Sequence, residues 1–277
     1  MPELPEVESL RRILARSAVG RTIAHARIGE ARLRRRVPGN FAPAVAGRKI
    51  EAIARRAKYL IIELDGPEVI LAHLGMSGSI THRGTGFRDG SVDPRHDHIE
   101  FALDDGSRLV FNDPRRFGIM RMIVRSELAK SAELAGIGPE PLSPEFNADY
   151  LASKARGRRV AIKNLLMDQR IVAGIGNIYA AEILLSAGVR PTRRSGRITR
   201  AEIEKIVAAA PVILRAAIGS RGTTFRSYFD SRGQPGRFAE RLRVYGRDGK
   251  PCYSCGTPIR NVTVGQRSSF YCPKCQR

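Results

Sequence analysis

Leu4, Val7, Ile13 and Leu14 recur at the spacing of one helix face, which predicts a helix from just after Pro2 to about Arg16. A proline suits a first helical turn, where its missing N–H would have had no partner. From about Arg21 to Val124 the pattern is strand-like. Short β-rich runs recur at Lys49–Ile53, Tyr59–Leu64, Val69–Leu74, His98–Leu103, Arg108–Phe111 and Ile119–Val124, parted by turn signals such as Asp65-Gly66 and Asp105-Gly106. This predicts an antiparallel sandwich or barrel with one packed helix. After about Ser126 the period is helical, over Leu128–Leu134, Pro144–Ala155, Val160–Gln169, Ile178–Ala187 and Thr199–Ala217. The proline-bearing stretch from Pro139 to Pro144 reads as a linker between the halves. Residues 220–238 are rich in Gly, Arg and Ser with little apolar content, a long loop of the kind that is functional or disordered. The expected class is α+β in three parts: a β-sandwich over 1–125, a helical region over 126–238 and a small cysteine module over 239–277.

Composition adds a partner. The chain has 277 residues, 42% of them apolar, which is enough for real cores. Its 48 Lys and Arg against 27 Asp and Glu give a formal charge of +21. Folding does not need that excess; a polyanion explains it, either nucleic acid or an anionic membrane surface. Most of the cations are arginines, whose guanidinium grips phosphate in a bidentate fork, and this favours nucleic acid. A GC-rich genome accounts for arginine over lysine but not for the net charge. No apolar run approaches the ~20 residues that span a bilayer, and the acidic, proline-bearing start is not read as a secretory signal. No membrane role is expected, and nothing suggests an obligate dimer, so a monomer is expected.

The four cysteines follow Lys250 as Cys252-x2-Cys255-x16-Cys272-x2-Cys275. Two such knuckles place four thiolates around one Zn²⁺. With every position filled by protein, the ion is structural, and its binding contributes folding energy of order ~10 kcal/mol. Thiols held for a metal point to a reducing cytosol. Between the knuckles, Ile259–Phe270 has a β-hairpin pattern whose tip projects Gln266 and Arg267, either as a phosphate-gripping finger or as a solvated turn.

The opening Met1-Pro2-Glu3-Leu4-Pro5-Glu6 carries candidate chemistry. Removal of Met1 leaves Pro2 with a free secondary amine, and an α-amino group titrates near ~8, so a useful fraction is neutral at physiological pH. Such an amine attacks a sugar C1′ and expels the base. The product iminium is charged without a proton and serves as an electron sink, as a Schiff-base lysine does. A carboxylic acid at Glu3 or Glu6 can protonate the opening sugar ring. Taken alone, the segment reads more readily as a proline that starts a helix whose glutamates complement the helix dipole.

Six segments occur in one order: the start from Met1 to Glu8; Arg56-Ala-Lys58-Tyr-Leu; His73-Leu-Gly-Met76-Ser-Gly; Asn112-Asp-Pro-Arg115-Arg-Phe117-Gly; Gly174-Ile-Gly-Asn177-Ile-Tyr-Ala; and the cysteine module. In this combination, over essentially the whole chain, the protein resembles the formamidopyrimidine-DNA glycosylase family of bifunctional glycosylases and AP lyases. The resemblance implies an N-terminal β-sandwich, a helix–two-turn–helix domain and a zinc finger, with damaged duplex DNA in a cleft. It also implies 8-oxoguanine and formamidopyrimidine substrates, with strand cleavage by β,δ-elimination.

By the same resemblance Pro2 matches the nucleophile, Glu3 the catalytic acid, Glu6 a supporting carboxylate and Lys58 a lysine on the phosphate beside the lesion. Met76, Arg115 and Phe117 match the trio that enters the helix when the damaged nucleotide leaves. The physics agrees, since apolar wedges and a planar guanidinium can refill a gap whose opening costs a few kcal/mol of stacking. His73, Lys163 and Arg267 match further DNA-contacting positions. Asn177 opens a helix after glycines, where backbone N–H groups suit a phosphate. Residues 220–238, with Thr223, Thr224 and Arg226, match a loop that closes over an everted purine. Ser77 departs from relatives with a glutamate near the flipped base, which leaves lesion preference open. The Pro-Glu-Leu-Pro-Glu start favours the purine branch over the related oxidised-pyrimidine glycosylases; a non-enzymatic zinc-finger DNA binder is the remaining alternative.

Overall fold

The computed structural model describes residues 1–84, 93–223 and 236–277. The chain forms two compact units: Met1–Ala135 with Ile218–Ala239, and Gly136–Ala217 with Glu240–Arg277.

In the first unit, helix α1 (Leu4–Ala18) is opened by a capping box between Glu3 and Glu6 with Pro5 in the first turn. It buries Leu4, Val7, Leu10, Leu14 and Ala18, so Leu10 rather than Ile13 lies on the core face. Strands β1 (Ile23–Ile28), β6 (Asp97–Leu103), β7 (Arg108–Asn112) and β5 (Ser79–Arg83) form one antiparallel sheet in the order β1-β6-β7-β5. Strands β2 (Ile50–Arg56), β3 (Tyr59–Leu64), β4 (Glu68–His73) and β8 (Ile119–Val124) form the other, β2-β3-β4-β8, also antiparallel. One core joins them: Ile23, Ile99, Phe101, Leu109 and Phe111 from the first sheet pack with Ile50, Leu60, Ile62, Ile70 and Met120 from the second and with α1. The expected sandwich with its packed helix is therefore what forms, and a short helix α2 (Phe41–Val45) adds Phe41 and Val45 to the same core.

Strands β1 and β5 have no counterpart among the predicted runs. Both are edges of their sheet, paired on one side only, so β1 buries little beyond Ile23 and carries no clear alternation. The helix expected over Leu128–Leu134 is also absent. A short 3₁₀ turn spans Arg125–Lys130, and Glu133 is drawn onto β8 by Arg121 at 2.6 Å, with Arg35 at 3.1 Å, which holds the chain in single turns.

The second unit contains α3 (Ala148–Ala155), α4 (Ile162–Met167), α5 (Asn177–Ala187) and most of α6 (Arg200–Gly219). Helix α3 starts later than Pro144 because Asn147 caps it, its side-chain oxygen accepting the Tyr150 N–H. Helix α5 is buried on nearly all sides and ends at Gly188, whose φ of 71° supplies a left-handed terminator. The cysteine module packs on α5 through Ala181, Val244, Cys252, Ile259 and Cys272. The buried Glu182 carboxylate accepts N–H groups of Arg243, Val244 and Tyr245 at 3.0, 3.0 and 2.9 Å. Burial pushes its pKa up, and those donors act against the rise. Strands β9 (Arg260–Val264) and β10 (Arg267–Tyr271) pair across Gly265-Gln266, both at positive φ as a type I′ hairpin turn requires. Among the described residues no helix is long and apolar enough to cross a membrane.

Candidate active site and nucleic-acid interface

At the chain start, Pro2, Glu3 and Glu6 are buried while Met1 remains half-exposed. With Met1 attached, the Pro2 nitrogen is an amide; removal of Met1 would make it the terminal amine. Burial holds the existing terminal amine below the usual α-amino value; Glu3 and Glu6 oppose that, while Lys58 and Arg115 reinforce it. The fold thus gathers Glu3, Glu6, Lys58 and Arg115 within electrostatic reach of one nitrogen, although up to 112 positions part them in sequence.

Each is placed locally. Glu6 Oε2 accepts the Glu3 N–H at 2.8 Å, and its Oε1 accepts the Thr223 N–H at 2.7 Å. Buried Lys58 sits in the two-residue turn joining β2 to β3, behind Ala57 at φ 51°. Arg55 donates to the Ala57 carbonyl at 2.9 Å and is paired with Glu8 at 3.2 Å, which ties that turn to α1. Burial alone would raise Glu8, but Arg11, Arg12 and Arg55 hold it down at about 2.

His73 stacks on Tyr59 with ring centroids 4.7 Å apart, and its Nδ1 accepts the Gly75 N–H at 2.9 Å. Burial, helped by the charges of Lys58 and Arg34, lowers its pKa to about 4, so the ring is neutral at physiological pH. The next residues form a turn that leaves Met76 exposed. Arg115 and Phe117 are exposed on a second turn, the guanidinium 4.8 Å from the Phe117 ring centre. Sequence reasoning missed Asp113. It is completely buried, and it accepts the Ser77 hydroxyl at 2.8 Å and the Gly118 N–H at 2.8 Å. An aspartate before proline, between a strand and an arginine-rich turn, was the available signal.

In the second unit, Asn177 begins α5, and its amide donates to the Ser268 carbonyl at 3.1 Å while its Oδ1 is buried with no hydrogen-bond partner among the described residues. Gln169, also missed, braces the approach: its oxygen accepts the Gly174 N–H and its amide donates to the Ile175 carbonyl, both at 2.8 Å. Lys163, expected from the resemblance to contact DNA, lies inside the second unit. Its side chain is fully buried, and Nζ donates to the Ser268 carbonyl at 2.9 Å and to the Ser269 hydroxyl at 2.5 Å. Its charge props the hairpin from below, while Arg267 is exposed at the hairpin's tip. Arg226 and Thr224 lie outside the described residues.

The four cysteine Sγ atoms lie within 4.8 Å of one another, with Cys252 to Cys275 at 3.9 Å and Cys255 to Cys272 at 3.5 Å. A tetrahedron with Zn–S bonds of ~2.3 Å has edges of roughly 3.8 Å, so these thiolates fit one zinc ion. Each knuckle is closed by backbone, the Gly256 N–H donating to Cys252 O at 2.9 Å and the Gln276 N–H to Cys272 O at 3.0 Å.

Comparison with known proteins covers nearly all of the chain. The family model described as formamidopyrimidine-DNA glycosylase N-terminal domain matches residues 1–120, the formamidopyrimidine-DNA glycosylase H2TH domain residues 137–228, and the zinc finger found in FPG and IleRS residues 249–277. The formamidopyrimidine-DNA glycosylase of Syntrophotalea carbinolica is 43% identical over 277 residues, covering 100% of both chains. That of Thioalkalivibrio sulfidiphilus is 46% identical over 280 residues, again covering 100% of both. Among solved structures, Lactococcus lactis Fpg in complex with DNA containing an abasic site superposes with a TM-score of 0.90 at 30% identity, covering 99% of each chain. MutM (Fpg) from Thermus thermophilus superposes at 0.88 with 35% identity, over 99% of this chain and 98% of that one.

Proposed function

Since the chain belongs to the formamidopyrimidine-DNA glycosylase family, we propose that it repairs damaged duplex DNA by base excision, removing oxidised purines and cutting the strand with Pro2 as nucleophile. The observation that carries this is the gathering of Glu3, Glu6, Lys58 and Arg115 around a terminal nitrogen whose proton affinity burial lowers. Pro2 is itself buried, so its amine, once Met1 is gone, meets the same depressing environment.

The damaged nucleotide is everted, and Met76, Arg115 and Phe117 fill the space it leaves. The Pro2 nitrogen bonds to C1′, and the base departs with the electrons of the glycosidic bond and the proton that the amine sheds; the C1′–O4′ bond then breaks as Glu3 gives its proton to the ring oxygen, leaving the iminium. The resulting iminium accepts the electrons released when the C2′ proton is removed. The 3′ phosphate leaves, then the 5′ phosphate, and hydrolysis frees the proline. Lys58 neutralises a phosphate beside the lesion. Neutral His73, Asn177 at the start of α5 and exposed Arg267 supply further contacts to the backbone. Arg226, in the stretch that matches the family's loop over an everted purine, is a further DNA contact in this reading. Domains over 1–125, 126–238 and 239–277 divide these tasks. Bound by Cys252, Cys255, Cys272 and Cys275, zinc supplies folding energy to the finger and no chemistry. The protein acts as a monomer in the cytosol, where the four thiols stay available to the metal.

The test is intact-mass analysis of the purified protein before and after borohydride treatment with a duplex carrying 8-oxoguanine opposite cytosine. We expect protein lacking Met1, and a stable DNA adduct that maps to Pro2. Active protein that retains Met1 on every molecule, or that gives no adduct, would overturn the assignment. Parallel rates on thymine glycol separate purine from pyrimidine preference.

A further inference from the structure

Met76, Arg115 and Phe117 stand exposed on two turns braced by the completely buried Asp113 and the half-buried Ser77. The turns touch backbone to backbone. Gly75 has φ +63°, and a Cβ there would fall 2.5 Å from the Phe117 carbonyl carbon and 2.7 Å from the Gly118 nitrogen. Gly78 is equally close-packed, since a Cβ there would lie 2.4 Å from the Leu74 carbonyl oxygen.

The side-chain link between these turns is Ser77 to Asp113. Asp113 Oδ1 accepts the Ser77 hydroxyl at 2.8 Å and the Arg115 N–H at 3.3 Å, while Oδ2 accepts the Gly118 N–H at 2.8 Å. The Asp113 carbonyl accepts the Arg116 N–H at 3.1 Å and the His98 Nε2–H at 2.9 Å, and its own N–H donates to His96 O at 3.0 Å. One buried carboxylate therefore grips both turns and is itself held by the approach to β6. A carboxylate committed to three donors fixes their relative positions far more firmly than apolar contact, which has no direction.

We propose that Asp113 and Ser77 are a positioning pair that holds Met76 and the Arg115–Phe117 turn as one preassembled wedge. The proposal rests on the repair reading above and extends it to the residues that brace the wedge. A wedge that had to order itself on insertion would lose backbone freedom worth about 1–2 kcal/mol per residue, and a small misplacement would leave the gap part-filled. The pair should matter only where a duplex has to be opened. A single-stranded abasic site has no stack to wedge and no partner strand to hold, so strand cutting there should not need it.

The experiment compares the full-length parent with Ser77→Ala and Ser77→Thr on two substrates: a duplex carrying 8-oxoguanine, and a single-stranded oligonucleotide carrying an abasic site. A 2-aminopurine beside the lesion reports unstacking. For Ser77→Ala we expect base excision in the duplex to slow about tenfold to a hundredfold, the span that a hydrogen bond to a charged acceptor is worth. The 2-aminopurine rise should be delayed to match, cutting of the single strand should stay within about twofold, and Ser77→Thr should restore the duplex rate through its hydroxyl. Equal loss on both substrates would show a general structural role and overturn the proposal, as would no loss on either. A parent that cuts neither substrate would instead overturn the repair reading and the proposal with it.

Discussion

Glu6→Gln changes one oxygen to an amide and little in shape, so its effect can be worked from the hydrogen bonds alone. The carboxylate is buried, with one oxygen on the Glu3 N–H at 2.8 Å and the other on the Thr223 N–H at 2.7 Å. Glutamine keeps one acceptor and turns an NH₂ towards the second donor. Relaxation is restricted on the Thr223 side, because the chain is pressed onto this side chain: a Cβ on Gly222 would lie 2.8 Å from Glu6 Oε1 and 3.2 Å from its Cα. A hydrogen bond to a charged group contributes about 1.5–3 kcal/mol, and a stranded buried donor costs about 1–3 kcal/mol; the two overlap, so about 2–4 kcal/mol in total is expected. At about 2–4 °C per kcal/mol for a unit of this size, the melting temperature should fall by about 4–16 °C. Glu3 carries the proposed acid and Thr223 precedes residues 224–235, so turnover should fall more than stability does at a temperature where both proteins are folded. Calorimetry at neutral pH and single-turnover excision supply the two readouts. A variant that melts within about 1 °C of the parent with unchanged excision would refute the reasoning, because the carboxylate would then not be holding those donors.

His73 is neutral in the fold, with its pKa at about 4 against 6.5 in the unfolded chain. The unfolded chain therefore binds the extra proton first, so His73's contribution is present above pH 6.5 and is lost as pH falls towards about 4, by at most ~3 kcal/mol; a His73→Asn variant should show a shallower fall in melting temperature over that window, and an identical fall would count against the assignment. Lys163→Met removes the buried cation under the hairpin, so duplex affinity should drop while the slope of log affinity against log salt stays unchanged; Arg267→Ala should reduce that slope by about one. A slope lowered equally by both would make Lys163 a direct phosphate contact.

The centres of most elements were legible because they obey local rules. Tyr59–Leu64 and Ile119–Val124 match their predicted bounds, since each is paired on a buried sheet and bounded by turns. Strands β1 and β5 were not legible, because β1 fully buries only Ile23 and the five residues of β5, Ser79–Arg83, include one large apolar side chain, Ile80. The cysteine module was legible in full, as its spacing and its ligand chemistry are the same fact. Lys163 shows the converse. A lysine is rarely buried, so its place in a helical pattern says surface; only a carbonyl and a hydroxyl brought from more than a hundred residues away make burial affordable. Asp113 was hidden for the same reason, since its partner Ser77 lies 36 positions back on another turn.

A common device presents the site residues. Among the described residues, Ala57, Arg116, Arg221 and Gln266 are the non-glycine residues at positive φ, between 51° and 62°. Ala57 precedes Lys58, Arg116 separates Arg115 from Phe117, Arg221 stands two before Thr223, and Gln266 precedes Arg267. Such backbone costs on the order of 1 kcal/mol or more at each position, and persists only where the surroundings over-determine it. Here the surroundings are visible: Arg55 on the Ala57 carbonyl, the Asp113 carbonyl on the Arg116 N–H, the Ile218 carbonyl on the Arg221 N–H, and the Val264–Arg267 pair around Gln266. Glycine would adopt these turns without strain but would leave them free in the unfolded chain and looser in the folded one. A side chain there, clamped by its neighbours, trades a little stability for a turn with one geometry, and that is what a residue aimed at a sugar, a base stack or a phosphate requires.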